Sequence, residues 1–133
     1  MQFIDLAAQR ARIGDRIDLA VSKVIREGKY ILGPEVAEFE RKLADYVGVK
    51  HVVACANGTD ALLIPLFAFG VGRGDAVFCP SFTFAATAEV VALAGAEPVF
   101  IDIDPDTYNI DIAQLKAAIK AIKAEGRLTP KAI

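Results

Sequence analysis

The stretch from Ala54 to Phe84 decides the fold, and it opens with the run Ala54-Cys55-Ala56-Asn57-Gly58-Thr59-Asp60. The apolar residues Val52–Cys55 predict a short strand before this polar corner. The apolar segment that follows, residues 61–69, predicts a helix with Thr59 as its N-cap. A helix N-terminus beside a strand end offers free N–H groups and the positive end of the helix dipole. The sequence therefore predicts a phosphate site at residues 57–60.

A second strand end follows in the same stretch. The apolar run Ala76–Cys79 predicts a strand, and it leads into Pro80-Ser81-Phe82-Thr83-Phe84. The carboxyl ends of parallel strands meet at one edge of a sheet, and open parallel sheets bind ligands there. We therefore expect Phe84 to stack on a flat ring attached to the bound phosphate.

Helices and strands alternate along the rest of the chain. This alternation predicts an α/β fold with a mostly parallel sheet and flanking helices. A chain of this class that ends where a strand begins is expected to be part of a longer protein. The other predicted elements are an arm over Met1–Leu6, one helix through Ile13 and Val24 that ends at Gly28, a helix from Pro34 to Gly48, a helix over Ala85–Ala94, a strand over Pro98–Ile101, a helix capped by Asp111, and a strand beginning at Lys131.

Composition excludes several classes of protein. The 133 residues are enough for one hydrophobic core, and the apolar fraction of 54% is high. No apolar run is long enough for a membrane span, and the N-terminus does not resemble a signal peptide. The net charge of −2, with scattered Lys and Arg, argues against nucleic-acid binding. Cys55 and Cys79 are expected to be reduced, buried thiols, as in a cytoplasmic protein.

Three motifs favour ordinary structural roles. Glycines 70, 72 and 74 lack the spacing and the preceding strand of a dinucleotide fingerprint, so they predict a turn. Asp102, Asp104 and Asp106 lack the glycine and glutamate of a calcium loop, which favours a hydrogen-bonded turn. His51 is the single histidine and is expected at the start of a strand. We therefore predict no metal site.

Several segments together resemble the DegT/StrS family of nucleotide-sugar aminotransferases, which are pyridoxal-phosphate (PLP) enzymes of the aspartate aminotransferase fold (fold type I). The resemblance covers nearly the whole chain. It is closest to the branch that aminates the 3-keto group of a UDP-linked 2-acetamido uronic acid. The matching segments are residues 30–36, 57–62, 70–75, 80–87, 95–100 and 102–111.

The resemblance implies a role for each matched position. Gly58, Thr59 and Asp60 are identified as cofactor-binding residues that hold the phosphate of PLP through backbone N–H groups and the Thr59 hydroxyl. Phe84 matches the aromatic residue that stacks on the pyridine ring, and Tyr30 belongs to a loop that borders the substrate. Ser81 and Thr87 are weaker polar candidates. Residues 1–33 are expected to form an arm, helix and active-site loop, and residues 34–133 the first part of the PLP-binding large domain.

The family's Schiff-base lysine and the aspartate that pairs with the pyridine nitrogen have no matched positions, so no catalytic residue is assigned. The complete enzyme is expected to be a cytoplasmic homodimer that moves an amino group from a donor such as glutamate to a keto nucleotide-sugar. Two alternatives stay open: a PLP-dependent sugar dehydratase on the same scaffold, and a non-catalytic phosphate-binding or interaction module. Two segments depart from the family pattern, namely Pro65 inside a helix and residues 123–128, which are expected to lengthen a surface turn.

Overall fold

The computed structural model describes residues 4–133, which form two compact units. One unit ends at Ala54 and the other spans Cys55–Ile133. The predicted arm lies partly outside the described residues, and the predicted domain division after residue 33 stays a prediction. No described helix is long and apolar enough to cross a membrane.

The first unit contains three helices: α1 (Leu6–Ile13), α2 (Arg16–Glu27) and α3 (Pro34–Val47). The prediction of one continuous helix through Ile13 and Val24 is wrong, because Gly14 ends α1 with φ 65° and ψ −152°. Only glycine reaches such a conformation without steric cost. The predicted ends at Gly28 and Gly48 are confirmed, since both residues adopt the left-handed conformation that terminates helices. Pro34 begins α3, as predicted.

The second unit is an α/β layer structure, which confirms the predicted fold class. Its elements are α4 (Gly58–Ala68), β1 (Asp75–Pro80), α5 (Ala86–Leu93), β2 (Glu97–Ile101), α6 (Ile112–Glu125) and β3 (Thr129–Ala132). The three strands form one parallel sheet in the order β2-β1-β3. Pro65 lies inside α4, as the sequence indicated.

Alternate side chains of the central strand β1 pack on opposite faces of the sheet. Val77 and Cys79 join a cluster with Val90 and Val91 of α5. Ala76 and Phe78 join a second cluster with Ile101 and Leu115, and Leu115 belongs to α6. Because both faces of the sheet are covered, the sequence of β1 is apolar at consecutive positions rather than at alternate ones. Because β1 and β2 are parallel neighbours, their carboxyl ends lie side by side.

The predicted strand over Val52–Cys55 is wrong. No strand is assigned at residues 51–55, and His51 therefore does not begin one. A strand needs ladder hydrogen bonds to a neighbour. Instead, the Ala54 N–H donates to the Glu40 carboxylate at 2.8 Å. Apolar character alone did not reveal that this backbone has a side-chain partner.

The expectation of a lengthened turn is wrong for residues 123–125, because α6 continues to Glu125 and ends at the left-handed Gly126, and only residues 126–128 form the connection. Strand β3 then begins at Thr129, two residues earlier than predicted.

Arg127 donates two hydrogen bonds to the Glu97 carboxylate, at 2.7 and 2.8 Å. This contact lowers the pKa of Glu97 and raises that of Arg127. It ties the α6–β3 connection to the start of β2.

The two cysteines are both free, but only Cys79 is buried as predicted. Burial in β1 raises the pKa of the Cys79 thiol. Cys55 is exposed, since the strand that was expected to bury it does not form. Its thiol donates to the Asn57 carbonyl at 3.4 Å.

Candidate functional site

The N-terminus of α4 is capped by Asn57, so the predicted cap at Thr59 is wrong. Asn57 has an extended backbone, and its side-chain oxygen accepts the Asp60 N–H at 2.9 Å. Its side-chain amide also donates to the Asp60 carboxylate at 3.1 Å. Asn and Thr are both good cap residues. Gly58 joins the helix as its first residue, which moves the cap two positions earlier than predicted.

Two backbone donors remain open at this helix end. Among the described residues, none accepts a hydrogen bond from the N–H of Gly58 or Thr59, whereas the Asp60 N–H donates to the capping Asn57 side chain. A Cβ atom added at Gly58 would meet nothing within 4 Å, so there is open space beside these donors. Thr59 adds a half-buried side chain with a hydroxyl. This donor set suits a phosphate group.

Phe84 lies four residues beyond the end of β1, in the connection to α5. Its side chain is 80% exposed. Its carbonyl accepts the Thr87 N–H at 3.0 Å, which forms a turn that leads into the helix. A large, uncovered aromatic ring in this place fits a stacking partner for a flat ligand.

A cavity in the second unit lies between helices α4 and α5 and strand β1. It measures about 350 Å³. Its lining includes Leu62 of α4, Pro80 at the end of β1, and Thr87 in the first turn of α5. Leu62 is four residues after Gly58, and Thr87 is three residues after Phe84. Helices α4 and α5 and the end of β1 therefore border one cavity, while Gly58, Thr59 and Phe84 are not among the residues that line it.

Tyr30 belongs to the first unit, in the loop between α2 and α3. Its hydroxyl donates to the Ile25 carbonyl at 3.0 Å, which folds the loop back on the last turns of α2. Leu32 in the same loop has a left-handed backbone with φ 47°. A substrate role for Tyr30 stays a prediction.

The loop after β2 supplies polar and aromatic groups that sequence reasoning did not assign to the site. Ser81 donates to the Asp102 carboxylate at 3.3 Å, which joins the ends of β1 and β2. Tyr108 has a left-handed backbone with φ 59°, and its ring centroid lies 5.6 Å from that of Phe82. No short-range pattern marks this contact, because its members are 26 positions apart.

The prediction of a hydrogen-bonded turn at the aspartates is confirmed. Asp104 accepts the N–H groups of Asp106 and Thr107 at 3.0 and 2.9 Å, and the Thr107 hydroxyl at 3.1 Å. These bonds lower the pKa of Asp104, the Thr107 N–H most strongly. Across residues 4–133 no cluster of His, Cys, Asp or Glu is suited to hold a metal ion.

Comparison with known proteins identifies the family. The family model described as DegT/DnrJ/EryC1/StrS aminotransferase matches residues 11–132. The chain belongs to the DegT/DnrJ/EryC1/StrS aminotransferase family. The resemblance found in the sequence motifs is thereby confirmed.

Two similar proteins cover nearly the whole of this chain. The chain is 60% identical over 119 residues to UDP-2-acetamido-2-deoxy-3-oxo-D-glucuronate aminotransferase from Pseudomonas aeruginosa, an alignment over 90% of this chain and 33% of the relative. It is 71% identical to a crystal structure of a DegT/DnrJ/EryC1/StrS aminotransferase from Brucella abortus, with a TM-score of 0.97, over 100% of this chain and 36% of that one.

A further solved structure of similar fold is described as a PLP form. The PLP form of the putative sugar aminotransferase Spr1654 from Streptococcus pneumoniae is 34% identical, with a TM-score of 0.77, over 80% of this chain and 27% of that one. These likenesses confirm the predicted fold as part of an aspartate aminotransferase-like architecture. The chain spans about a third of the length of the curated relatives it matches.

Proposed function

We propose that this chain forms the phosphate-binding part of a PLP-dependent aminotransferase. The complete protein would transfer an amino group from an amino acid, with glutamate as the candidate donor, to a keto nucleotide-sugar. The observation that carries the proposal is the pair of open N–H groups at Gly58 and Thr59, together with the exposed ring of Phe84 in the connection from β1 to α5. The 60% identity to the Pseudomonas aeruginosa enzyme supports UDP-2-acetamido-2-deoxy-3-oxo-D-glucuronate as the first substrate to test.

The described residues include groups suited to both the phosphate and the pyridine ring of PLP. The Gly58 and Thr59 N–H groups and the Thr59 hydroxyl would hold the phosphate, because charge-assisted hydrogen bonds to an anion are strong. Phe84 would face the pyridine ring. When bound, PLP supplies the electron sink that amino-group transfer requires, and the protein supplies orientation.

Asp60 is less suited to binding the phosphate than Gly58 and Thr59. Its N–H already donates to Asn57, and its carboxylate would repel a phosphate at close range. Asn57 offsets part of this repulsion, since its amide donates to the same carboxylate. We therefore assign Asp60 to the rim of the phosphate site, with Gly58 and Thr59 as the principal donors.

The chemistry can be tested on the complete protein with PLP, glutamate and the 3-oxo sugar nucleotide. We expect cofactor absorbance that persists after removal of free PLP, together with formation of the 3-amino sugar and 2-oxoglutarate, measured by mass spectrometry. A protein that retains PLP but eliminates water from the sugar would instead be a dehydratase of the same scaffold. The absence of both cofactor retention and turnover would indicate a non-catalytic module.

Phe84→Ala tests the stacking role. We expect the variant to bind PLP with about 0.5–1.5 kcal/mol less free energy, because an aromatic contact of this kind is lost. Its folding stability should change little, since the ring is mostly exposed. The measurement is a PLP titration followed by absorbance. Phe100→Ala is the matched control, as Phe100 is also an exposed phenylalanine but lies within β2. Equal affinity of wild type and Phe84→Ala for PLP would remove Phe84 from the cofactor site.

We further propose that the complete protein is a homodimer located in the cytoplasm. Helix α4 supports the dimer, because it is apolar on all sides and leaves Ile64 and Phe67 about half exposed. A helix of this composition is usually buried. The two free cysteines are consistent with a reducing compartment.

Sedimentation equilibrium at micromolar concentration tests the proposed assembly. We expect the complete protein to have the mass of a dimer, and Phe67→Glu to raise the dimer dissociation constant, because it places a charge in an apolar contact. Lys120→Glu on the exposed side of α6 is the matched control and should leave the mass unchanged. A wild-type protein with the mass of a monomer would contradict the proposal.

A further inference from the structure

The orientation of the Phe84 ring depends on the backbone that carries it. The ring is 80% exposed, so side-chain packing does not fix it. The backbone turn is closed by the Thr87 N–H, which donates to the Phe84 carbonyl at 3.0 Å. Ala85, at the N-cap of α5, makes no side-chain hydrogen bond. The first turn of α5 therefore lacks the usual side-chain cap.

Two threonines bracket this turn. The hydroxyl groups of Thr83 and Thr87 are 2.9 Å apart, and one donates to the other. Thr83 precedes Phe84, while Thr87 lies in the first turn of α5. The Thr87 carbonyl also accepts the thiol of Cys79 at 3.8 Å, and Cys79 is buried in β1. The hydroxyl pair thus joins the loop on one side of Phe84 to a turn that is anchored on the central strand.

We propose that Thr83 and Thr87 are positioning residues for Phe84. Their hydroxyl pair holds residues 83–87 in one conformation, so that the Phe84 ring is already oriented before the cofactor arrives. This inference rests on the proposed function, since it takes PLP as the ligand of Phe84. A group that is ordered in advance loses less conformational entropy on binding.

The expected size of the effect follows from the exposure of the pair. The net contribution of one hydrogen bond corresponds to roughly a two- to tenfold change in an equilibrium constant. Thr83 is exposed and Thr87 is half-buried, so water competes for both hydroxyls. We therefore expect effects of about two- to fivefold, at the lower end of that range.

The test is a double-mutant cycle on PLP affinity in the complete protein. Thr83→Val and Thr87→Val remove a hydroxyl and keep a β-branched side chain of similar shape. Each variant is titrated with PLP, both in the wild-type background and in the Phe84→Ala background. We expect each valine to raise the dissociation constant about two- to fivefold when Phe84 is present, and to have no effect when residue 84 is alanine.

Serine variants test whether the loss of the hydroxyl, and not of the threonine methyl group, weakens PLP binding. Thr83→Ser and Thr87→Ser keep the hydroxyl pair and should bind PLP like the wild type. Thr129→Val, on the exposed surface of β3, is the remote control for the same chemical change. If Thr87→Val unfolds the protein because residue 87 is half-buried, the cycle can still be measured with Thr83→Val, since Thr83 is exposed.

The possible outcomes separate this inference from the proposed function. Equal weakening by the valines in both backgrounds would mean that the hydroxyls act on the cofactor directly or on the fold in general, and would overturn the positioning role. Unchanged affinity in both backgrounds would overturn it while leaving PLP binding intact. A wild-type protein that binds no PLP would overturn both proposals.

Discussion

Phe78→Ala is expected to lower the free energy of unfolding by about 3–5 kcal/mol. Phe78 is 2% exposed and lies in the central strand β1. It packs in one cluster with Ile101 of β2 and Leu115 of α6. Because β1 is held between two strands, the backbone cannot move to fill the space left by the ring. Such a loss is a large part of the total stability of an ordinary domain.

Urea unfolding followed by circular dichroism measures this effect, and Phe100→Ala provides the matched control. Phe100 lies in the neighbouring strand β2 but is 58% exposed. Its loss should cost less than about 1 kcal/mol, since surface changes are usually small. Similar costs for both variants would mean that the α6 face of the sheet is not the packed core described above.

Most of the second unit could be predicted from the sequence, because local patterns there agree with the tertiary structure. The run Ala76–Cys79 is apolar throughout, as expected for a strand that is covered on both faces, and the structure places it at the centre of the sheet. The cap at Asp111 also follows from residue type and is confirmed, as is the end of α3 at Gly48 in the first unit.

The wrong prediction of a strand at residues 52–55 has a clear physical cause, which is that the deciding partner lies elsewhere in the chain. Residues 52–55 are apolar enough for a strand, but the Ala54 N–H bonds to Glu40 in α3. The exposure of Cys55 follows from the same missing strand. The ion pair of Arg127 with Glu97 spans 30 positions and could not be read from local pattern.

At the candidate site, sequence motifs predicted cofactor roles for Gly58, Thr59 and Phe84, and the structure adds the capping of α4 and the exposure of the Phe84 ring. The cap at Asn57 was missed because Asn and Thr are both common cap residues, and only the position of Gly58 within the helix distinguishes them. The spacing of Thr83 and Thr87 by four positions could have indicated their contact. The exposure of Phe84 and the hydrogen bonds around it depend on the tertiary structure and could not be predicted from local sequence.

Gly58→Pro is expected to weaken PLP binding by about 1.5–3 kcal/mol, which is more than tenfold, without loss of the fold. Proline has no N–H, so this variant removes one of the two open donors at the start of α4. The backbone should accept the change, because proline suits the first position of a helix and Asn57 before it is already extended. No atom lies within 4 Å of an added Cβ atom.

Gly58→Ala separates the lost donor from the added bulk, since it places a Cβ atom at the same position and keeps the N–H. We expect alanine to bind PLP nearly as the wild type does, and both variants to unfold at an equal or higher temperature, because replacing glycine reduces the freedom of the unfolded chain. The measurements are a PLP titration and thermal unfolding of the cofactor-free protein. If proline and alanine weaken PLP equally, the effect is steric and the Gly58 N–H is not a phosphate donor. If neither weakens PLP binding, the Gly58 N–H does not contribute to binding the phosphate.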